Sequence, residues 1–146
     1  MTGMVDIGDK DIVKREAVAE GRLILKESTL KAITSNQIRK GDVISSSKLA
    51  AIQAVKATST ILPLCHQIPL TSIETNLMIE DDGLKATCSV TAFYRTGVEM
   101  EALVGATVAL LNAWDMVKYL EKDARGQYPG TSIKDVRVVS KRKGGG

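Results

Sequence analysis

The chain has few of the residues on which several kinds of functional site depend. Phenylalanine, tryptophan and tyrosine make up 3% of its 146 residues, two positions are cysteine and one is histidine. Scarce aromatic rings disfavour a nucleic-acid reader, because proteins that read single strands stack bases on such rings. Two cysteines without a CxxC spacing and a lone histidine give no recognised metal-ligand pattern. We therefore expect no nucleic-acid partner, no metal and no other cofactor.

Charge and length set further limits. Lysine and arginine number 20 against 17 for aspartate and glutamate, and the net charge of +3 is compatible with a small anionic ligand without requiring a polyanion. At this length, residues 1–146 are expected to form one domain. The charged N-terminal sequence lacks the pattern of a secretory signal, which favours the cytoplasm. The longest nearly apolar run, residues 102–114, is shorter than the roughly 20 residues of a bilayer span, so it predicts a buried helix and no membrane association.

The pattern of apolar, glycine and proline residues predicts the order of elements. Residues 1–20 have no sustained apolar period and predict an arm, although residues 4–7 could dock on the rest of the chain. After the arm we predict a strand at 22–27, helices at 28–36 and from Asp42 to Pro63, a hairpin of strands 71–80 and 84–94, a helix at 98–123, a strand at 133–139 and a mobile tail at 141–146. This order is that of a ferredoxin-like α+β fold, an antiparallel sheet with helices packed on one face.

The long predicted helix carries a pair of opposite charges. Asp115 and Lys118 are three positions apart and therefore share a face of the helix. On spacing alone, such a pair is as readily a surface ion pair as a functional one. Partial burial among its apolar neighbours would make it a proton-transfer pair. A second cation, Lys40, stands in a Lys-Gly-Asp turn before a predicted helix, where free amides could bind phosphate, but the GxxxxGK[ST] pattern is absent.

His66 lies in the stretch LPLCHQIPL, between Pro63 and Pro69. It could be a core residue satisfied by hydrogen bonds, a metal ligand, or a group that binds a ligand or transfers protons. We favour the last interpretation, because the two prolines stiffen the loop and hold the imidazole in place. A nucleophilic pair with Cys65 is disfavoured, since neighbouring side chains on an extended chain point in opposite directions.

Glu99 and Glu101 stand in the first turn of the long helix, where negative charge stabilises the free amides, so a capping role is the alternative to ligand binding. Fourteen positions separate Glu101 from Asp115, which is about 21 Å along a straight helix. One small ligand could reach both residues only if two chains met. Small residues on the same helix would allow a second backbone to approach closely, namely Ala102, Gly105, Ala106 and Ala109.

Five motifs, in the order MVDI, KGDV, LPLCH, TGVEMEAL and WDMVK, extend across nearly the whole chain. Together they resemble the molybdenum cofactor biosynthesis protein C family, the cyclic pyranopterin monophosphate synthases. The resemblance implies a ferredoxin-like subunit assembled as a homohexamer, a trimer of dimers, with active sites between subunits. It also implies a lyase that converts a GTP-derived cyclic nucleoside triphosphate, 3',8-cyclo-7,8-dihydro-GTP, to cyclic pyranopterin monophosphate and releases pyrophosphate.

The resemblance also assigns roles to residues. Asp115, Lys118 and Lys40 match the acid–base groups. The remaining matches bind substrate: Leu64, Cys65, His66, Glu99, Met100 and Glu101, of which His66 and Glu101 hold the purine-derived end, and the cations Arg15, Lys56 and Lys141 at the triphosphate. Two departures from the family pattern are Gln67, where proline often follows the histidine, and the tail KRKGGG.

Without the resemblance, the alternative is a ferredoxin-like regulatory module that binds a small molecule without catalysis. A nucleic-acid reader on the same fold is less well supported. Phe93 and Tyr94 are its only adjacent rings on a predicted strand, and no pattern of spaced aromatics surrounds them.

Overall fold

The computed structural model describes residues 2–144. Its elements, in chain order, are β1 (Val13–Ile24), α1 (Glu27–Thr34), α2 (Val43–Lys56), the single helical turn α3 (Thr58–Ile61), β2 (Leu70–Glu80), β3 (Gly83–Tyr94), α4 (Glu99–Glu121) and β4 (Ser132–Lys143). The four strands form one sheet in the order β2-β3-β1-β4, and all neighbouring strands are antiparallel. Because α2 and α4 pack on this sheet, the predicted α+β, ferredoxin-like arrangement is confirmed.

The central strand β1 corrects the prediction that residues 1–20 form an arm. Residues 13–20 belong to this strand, which pairs with β3 on one side and β4 on the other. Its helix-facing positions include the small residues Ala17 and Ala19, which are buried, while most of the alternate positions, such as Glu16 and Glu20, carry charge. Glu20, on the other face, is paired with Lys85 and Arg137 from the neighbouring strands. A strand is recognised in a sequence by bulky apolar residues at every second position. Here the inward residues are small and the outward ones are charged, so that pattern is missing.

The C-terminal strand corrects the prediction that residues 141–146 form a mobile tail. Residues 141–143 belong to β4, where Lys141 lies opposite Ala17 and Lys143 lies opposite Arg15. Gly144 follows with a φ of 99° and donates its N–H to the carbonyl of Lys14 at 2.9 Å. The last two residues of the predicted tail, 145–146, lie outside the described residues.

The small residues of α4 pack inside the chain. Ala102, Gly105, Ala106 and Ala109 are all buried against the sheet and α2. A Cβ at position 105 would lie 2.5 Å from Cys88 Sγ on β3 and 2.7 Å from Val55 Cγ2 on α2. This face therefore brings α4 close to its own sheet. The expectation that a second chain could approach this face is wrong.

By length and composition, α4 passes a test for membrane-spanning helices that core helices of globular proteins also pass. Half of its most apolar window is buried inside the protein. Ala106, Leu110, Ala113 and Val117 are almost inaccessible to solvent, as expected for the predicted buried helix.

Candidate active site

The first group of candidate residues consists of Lys40, Asp115 and Lys118, which we call the lysine–aspartate cluster. The two lysines bind different oxygens of the carboxylate: Lys40 Nζ lies 2.7 Å from Asp115 Oδ2, and Lys118 Nζ lies 3.2 Å from Oδ1. Lys40 Nζ is also 3.4 Å from the carbonyl oxygen of Asp115. Residues 75 positions apart in the sequence thus meet at one carboxylate.

The two lysines control the charge of Asp115. The hydrogen bond from Lys40, followed by the one from Lys118, lowers the pKa of Asp115 below its usual value. Asp115 is therefore an anion at neutral pH, held between two ammonium groups.

The surroundings of this cluster are less apolar than the sequence indicates. Met116 and Val117 point into the core, so they do not shield Asp115 and Lys118 from water. The side chains of Asp115 and Lys118 are about half exposed. They share an open cavity of about 410 Å³ with Leu111, Trp114 and Tyr128. The rings of Trp114 and Tyr128 meet edge to face with centroids 5.3 Å apart, and they supply one apolar wall beside the charges.

The second group surrounds a larger cavity of about 540 Å³ between α2, the loop before β2, β2 itself and the first turn of α4. Its wall combines apolar side chains with hydroxyls and amides, and it includes Lys56, His66 and Glu101. A cavity of this size with a few convergent polar groups is typical of a small-molecule site.

Glu101 is the least satisfied polar group of this cavity. Its residue is 3% exposed, and Oε1 has no hydrogen-bond partner among residues 2–144. Its other oxygen, Oε2, lies 4.0 Å from Cys65 Sγ. Burial raises the pKa of Glu101, and the charge of Glu99 adds to this effect. A buried polar atom without a partner is rare in proteins and is a common mark of a position that meets a ligand.

The imidazole of His66 is held by the N-terminal segment. Its Nε2 lies 2.6 Å from the carbonyl oxygen of Val5, and because a carbonyl can only accept, Nε2 carries the proton. Arg95 fixes the same segment through hydrogen bonds to the carbonyls of Gly8 and Lys10, at 2.7 and 2.9 Å. Residues 4–7 therefore do dock, as the sequence allowed, and they cover one side of the imidazole.

Cys65 is poorly suited to nucleophilic chemistry. Burial and the negative charge of Glu101 raise the pKa of its thiol. The group remains protonated at neutral pH, whereas the thiolate is the reactive form. The other cysteine, Cys88, lies in the core, where burial raises its pKa to about 12.

Two of the three cations predicted to bind phosphate, Lys141 and Arg15, already have partners. Lys141 Nζ lies 2.6 Å from Glu99 Oε1. Burial alone would raise the pKa of Glu99, but Lys141 and, more weakly, Arg15 lower it overall. Arg15 is itself buried and donates to the carbonyls of Tyr94 and Arg95 at 3.4 and 3.3 Å. Arg15, Glu99 and Lys141 are thus neighbours, and an anionic ligand would compete with Glu99 for the two cations.

The remaining predicted residues are Leu64, Met100 and Lys56. Leu64 and Met100 are large apolar residues that are about half exposed. Lys56, the last residue of α2, lines the cavity with His66 and Glu101. Among residues 2–144, no three His, Cys, Asp or Glu side chains come together as metal ligands.

The two groups lie at opposite ends of α4. The helix is continuous from Glu99 to Glu121, so the estimate of about 21 Å between Glu101 and Asp115 applies to it. The chain therefore brings together Lys40, Asp115 and Lys118 at one end of the helix, and Arg15, Cys65, His66, Glu99 and Glu101 at the other.

Two residues near the lysine–aspartate cluster were not predicted. Tyr119 contacts Arg39, the residue before Lys40. Glu121 is fully buried and accepts hydrogen bonds from the Lys26 amide and from the hydroxyls of Thr29 and Thr131. Glu121 stands four positions after Val117 on the buried face of α4, and a glutamate on that face was a possible signal. The partner of Tyr119 is 80 positions away and leaves no local pattern.

A ferredoxin-like sheet, a cluster of acid–base groups and a separate polar cavity are together typical of an enzyme that acts on a small, charged molecule. The chain belongs to the MoaC family, whose family model matches residues 4–144.

Relatives of known name agree with this assignment over almost their full lengths. The chain is 56% identical over 140 residues to the probable cyclic pyranopterin monophosphate synthase of Sulfolobus acidocaldarius, covering 96% of this chain and 98% of that protein. Proteins of the same name from Thermococcus kodakarensis and Archaeoglobus fulgidus are 54% and 51% identical, covering 97% of this chain in each case and 90% and 91% of those proteins. The family resemblance inferred from the five motifs is confirmed.

Proposed function

We propose that this chain is a cyclic pyranopterin monophosphate synthase of molybdenum cofactor biosynthesis, acting in the cytoplasm, where its nucleotide substrate would be made. The substrate is 3',8-cyclo-7,8-dihydro-GTP, and the products are cyclic pyranopterin monophosphate and pyrophosphate. Support comes from membership of the MoaC family and from relatives of that name at 51–56% identity. The observation that carries the proposal is the Asp115 carboxylate bound by Lys40 at 2.7 Å and by Lys118 at 3.2 Å.

The lysine–aspartate cluster has the groups that the rearrangement requires. Rebuilding the ring system moves protons between carbon, nitrogen and oxygen atoms, which needs a base and an acid close together. Asp115 is ionised and can accept a proton, while each lysine can donate one. Proton transfer within the cluster is direct, since both ammonium groups already form hydrogen bonds to the carboxylate.

Formation of the cyclic phosphate sets a second requirement. A hydroxyl oxygen of the substrate attacks its own α-phosphorus and gives up its proton to a base, for which the ionised Asp115 is the candidate. The bond from that phosphorus to the bridging oxygen breaks, and pyrophosphate leaves with the bonding electrons. Negative charge increases on the leaving group, so cations that bind it speed the step. Arg15, Lys56 and Lys141 are the candidates for this role, with Lys141 released from Glu99 when the triphosphate binds.

The cavity around Glu101 fits the purine-derived end. The heterocycle offers N–H donors that the unpartnered carboxyl oxygen of Glu101 could accept, and a flat ring fits between the apolar residues of the wall. Cys65 and His66 border the same region, and Leu64 and Met100 are their neighbours along the chain, next to Cys65 and Glu101.

Because the two groups are about 21 Å apart on one helix, we propose that each site combines the lysine–aspartate cluster of one protomer with the Glu101 end of another. Met100 and Leu111, both large and exposed, lie on one stripe of α4 with Asp115, since their spacing returns to the same helical face. Covering this stripe with a second copy would bury apolar surface and align the two groups. A homohexamer built as a trimer of dimers contains three such pairs.

The direct test is to incubate the purified chain with the cyclised nucleotide, made from GTP by the upstream radical enzyme, and to measure pyrophosphate. We expect release by the wild type and almost none by Asp115→Asn, which keeps the size of the side chain but removes its charge. If the wild type binds the nucleotide and releases no pyrophosphate, the chain is a binding module and the proposed function is wrong.

A further inference from the structure

The turn that carries Lys40 is fixed at both ends by its own residues. At the first end, Ile38 is buried in the core, and its carbonyl accepts the N–H of Gly41 at 3.0 Å. Gly41 has a φ of 111°, a conformation that favours glycine. At the other end, Asp42 caps α2 by accepting the amide of Ser45 at 3.0 Å. Arg39 and Lys40 lie between these two anchors and are exposed.

One side chain of α4 holds the middle of this turn. The backbone N–H of Arg39 donates to Tyr119 Oη at 3.1 Å, and the guanidinium carbon of Arg39 lies 4.6 Å from the centre of the Tyr119 ring. A cation over an aromatic face at this distance is attracted to the ring. Tyr119 is partly buried against the core, so it is a firm support for both contacts.

The next residue of the turn contacts the preceding turn of the same helix. Lys40 reaches Asp115, which is four positions before Tyr119 and therefore next to it on the helix surface. Two consecutive residues of the turn thus bind two adjacent positions of α4. The Lys40 side chain is about half exposed, so packing around its own stem does little to place its ammonium group.

We propose that Tyr119 is a positioning residue for the lysine–aspartate cluster: it holds the Arg39–Lys40 turn against α4 and thereby keeps the Lys40 ammonium on Asp115. The hydrogen bond and the cation–π contact of Tyr119 both go to Arg39, which is not among the residues predicted to bind substrate, so Tyr119 acts through Lys40. The kinetic consequences rest on the proposed function, whereas the geometry of the cluster can be tested without it.

The kinetic test compares Tyr119→Phe and Tyr119→Leu with the wild type. Tyr119→Phe keeps the ring but loses the oxygen that accepts the Arg39 amide, so we expect a smaller effect than with Tyr119→Leu, which loses both contacts. Small displacements of a catalytic group cost up to about 100-fold in rate, and we expect kcat to fall by about 10- to 100-fold in Tyr119→Leu, with KM little changed. In a Lys40→Met background, the same substitution should have little further effect on kcat, because its target is already gone.

A second test needs no turnover. The groups facing Asp115 are Lys40 from the turn, Lys118 from α4 and Tyr128 from the loop before β4. Displacing Lys40 removes the largest of the effects that lower the pKa of Asp115. Titration of the Asp115 carboxyl carbon by NMR should therefore show a higher pKa in Tyr119→Leu than in the wild type, and a smaller rise in Tyr119→Phe.

Leu120→Ala is the matched control, because Leu120 also packs against the core and is adjacent to Tyr119, but its aliphatic side chain can form neither the hydrogen bond nor the cation–π contact that Tyr119 makes with Arg39. It should lower thermal stability while leaving the Asp115 titration and kcat unchanged at a temperature where it is folded. If both Tyr119 variants titrate as the wild type does, or if Leu120→Ala reproduces their shift, Tyr119 has no positioning role. Absence of pyrophosphate release from the wild type would overturn the proposed function, but the titration would still decide the role of Tyr119.

Discussion

Replacing Glu101 with glutamine should stabilise the folded protein at neutral pH. The carboxyl is 3% exposed, and Oε1 has no partner among the described residues. Glutamine keeps the shape of the protonated acid but carries no charge. The substitution therefore removes the cost of burying an anion and leaves the packing unchanged.

The magnitude follows from the cost of an unsatisfied buried polar group, about 1–3 kcal/mol, with ionised groups at or above the upper end. In a chain of this size each kcal/mol changes Tm by about 2–4 °C. We therefore expect Glu101→Gln to raise Tm by about 2–12 °C at pH 8.

The stability difference between Glu101→Gln and the wild type should depend on pH. Burial raises the pKa of Glu101 in the folded protein above its ordinary value of 4.5. As pH increases through the unfolded-state value, the unfolded chain loses the proton first, so the free energy of unfolding falls until the folded-state pKa is passed. The stability advantage of the glutamine variant should be absent near about pH 4, grow above it and then become constant.

The assay is thermal unfolding of both proteins across this pH range at a single protein concentration, since association also contributes to Tm. Glu99→Gln is the matched control, because the same change is made two positions away at a carboxylate that Lys141 binds at 2.6 Å. The pKa of Glu99 is lowered overall, so its substitution should destabilise, by about 0.2–1 kcal/mol. If Glu101→Gln is less stable than the wild type at pH 8, a cation neutralises Glu101 in solution and the argument from an isolated buried charge is refuted.

Two further outcomes follow from the same structure. Lys118→Arg should keep substrate binding, measured by calorimetry, but lose most pyrophosphate release, because a guanidinium does not give up its proton near neutral pH. Turnover equal to that of the wild type would show that Lys118 is only a structural cation. Gly105→Ala should destabilise the protein by about 1–3 kcal/mol in denaturant unfolding, because the new Cβ would lie 2.5 Å from Cys88 Sγ. An unchanged unfolding midpoint would show that the contact between α4 and the sheet relaxes without a loss of stability.

The sequence predicted elements whose apolar residues are bulky and regularly spaced. The hairpin of β2 and β3 and the long helix α4 lie within a few positions of their predicted bounds. The first half of β1 was missed, because its buried positions hold alanine and its outward charges are balanced only by strands far along the chain. The same applies to residues 141–143 of β4, whose basic side chains are typical of a tail until β1 pairs with them.

The parts of the candidate site that depend on a sequence motif were predictable. The parts that depend on contacts between distant segments of the folded chain were not. Spacing indicated that Asp115 and Lys118 share a helical face, and their contact is 3.2 Å. The arrival of Lys40 on the same carboxylate depends on a turn 75 positions away, and it entered the sequence-based prediction only through the family resemblance. The burial of Glu101 and the support from Tyr119 depend on tertiary packing and have no local signature.

The measurement that tests the shared site most directly is complementation between two inactive variants. Glu101→Gln and Asp115→Asn chains are mixed, reassembled and assayed for pyrophosphate release. If each site takes Glu101 from one protomer and Asp115 from the other, every mixed pair has one intact site, and random pairing restores on the order of a quarter of wild-type activity. Mixing Lys40→Met with Asp115→Asn should restore none, because both residues belong to the same cluster of one chain. Failure of the first mixture to recover activity, in oligomers shown to contain both chains, would contradict a site assembled from two protomers.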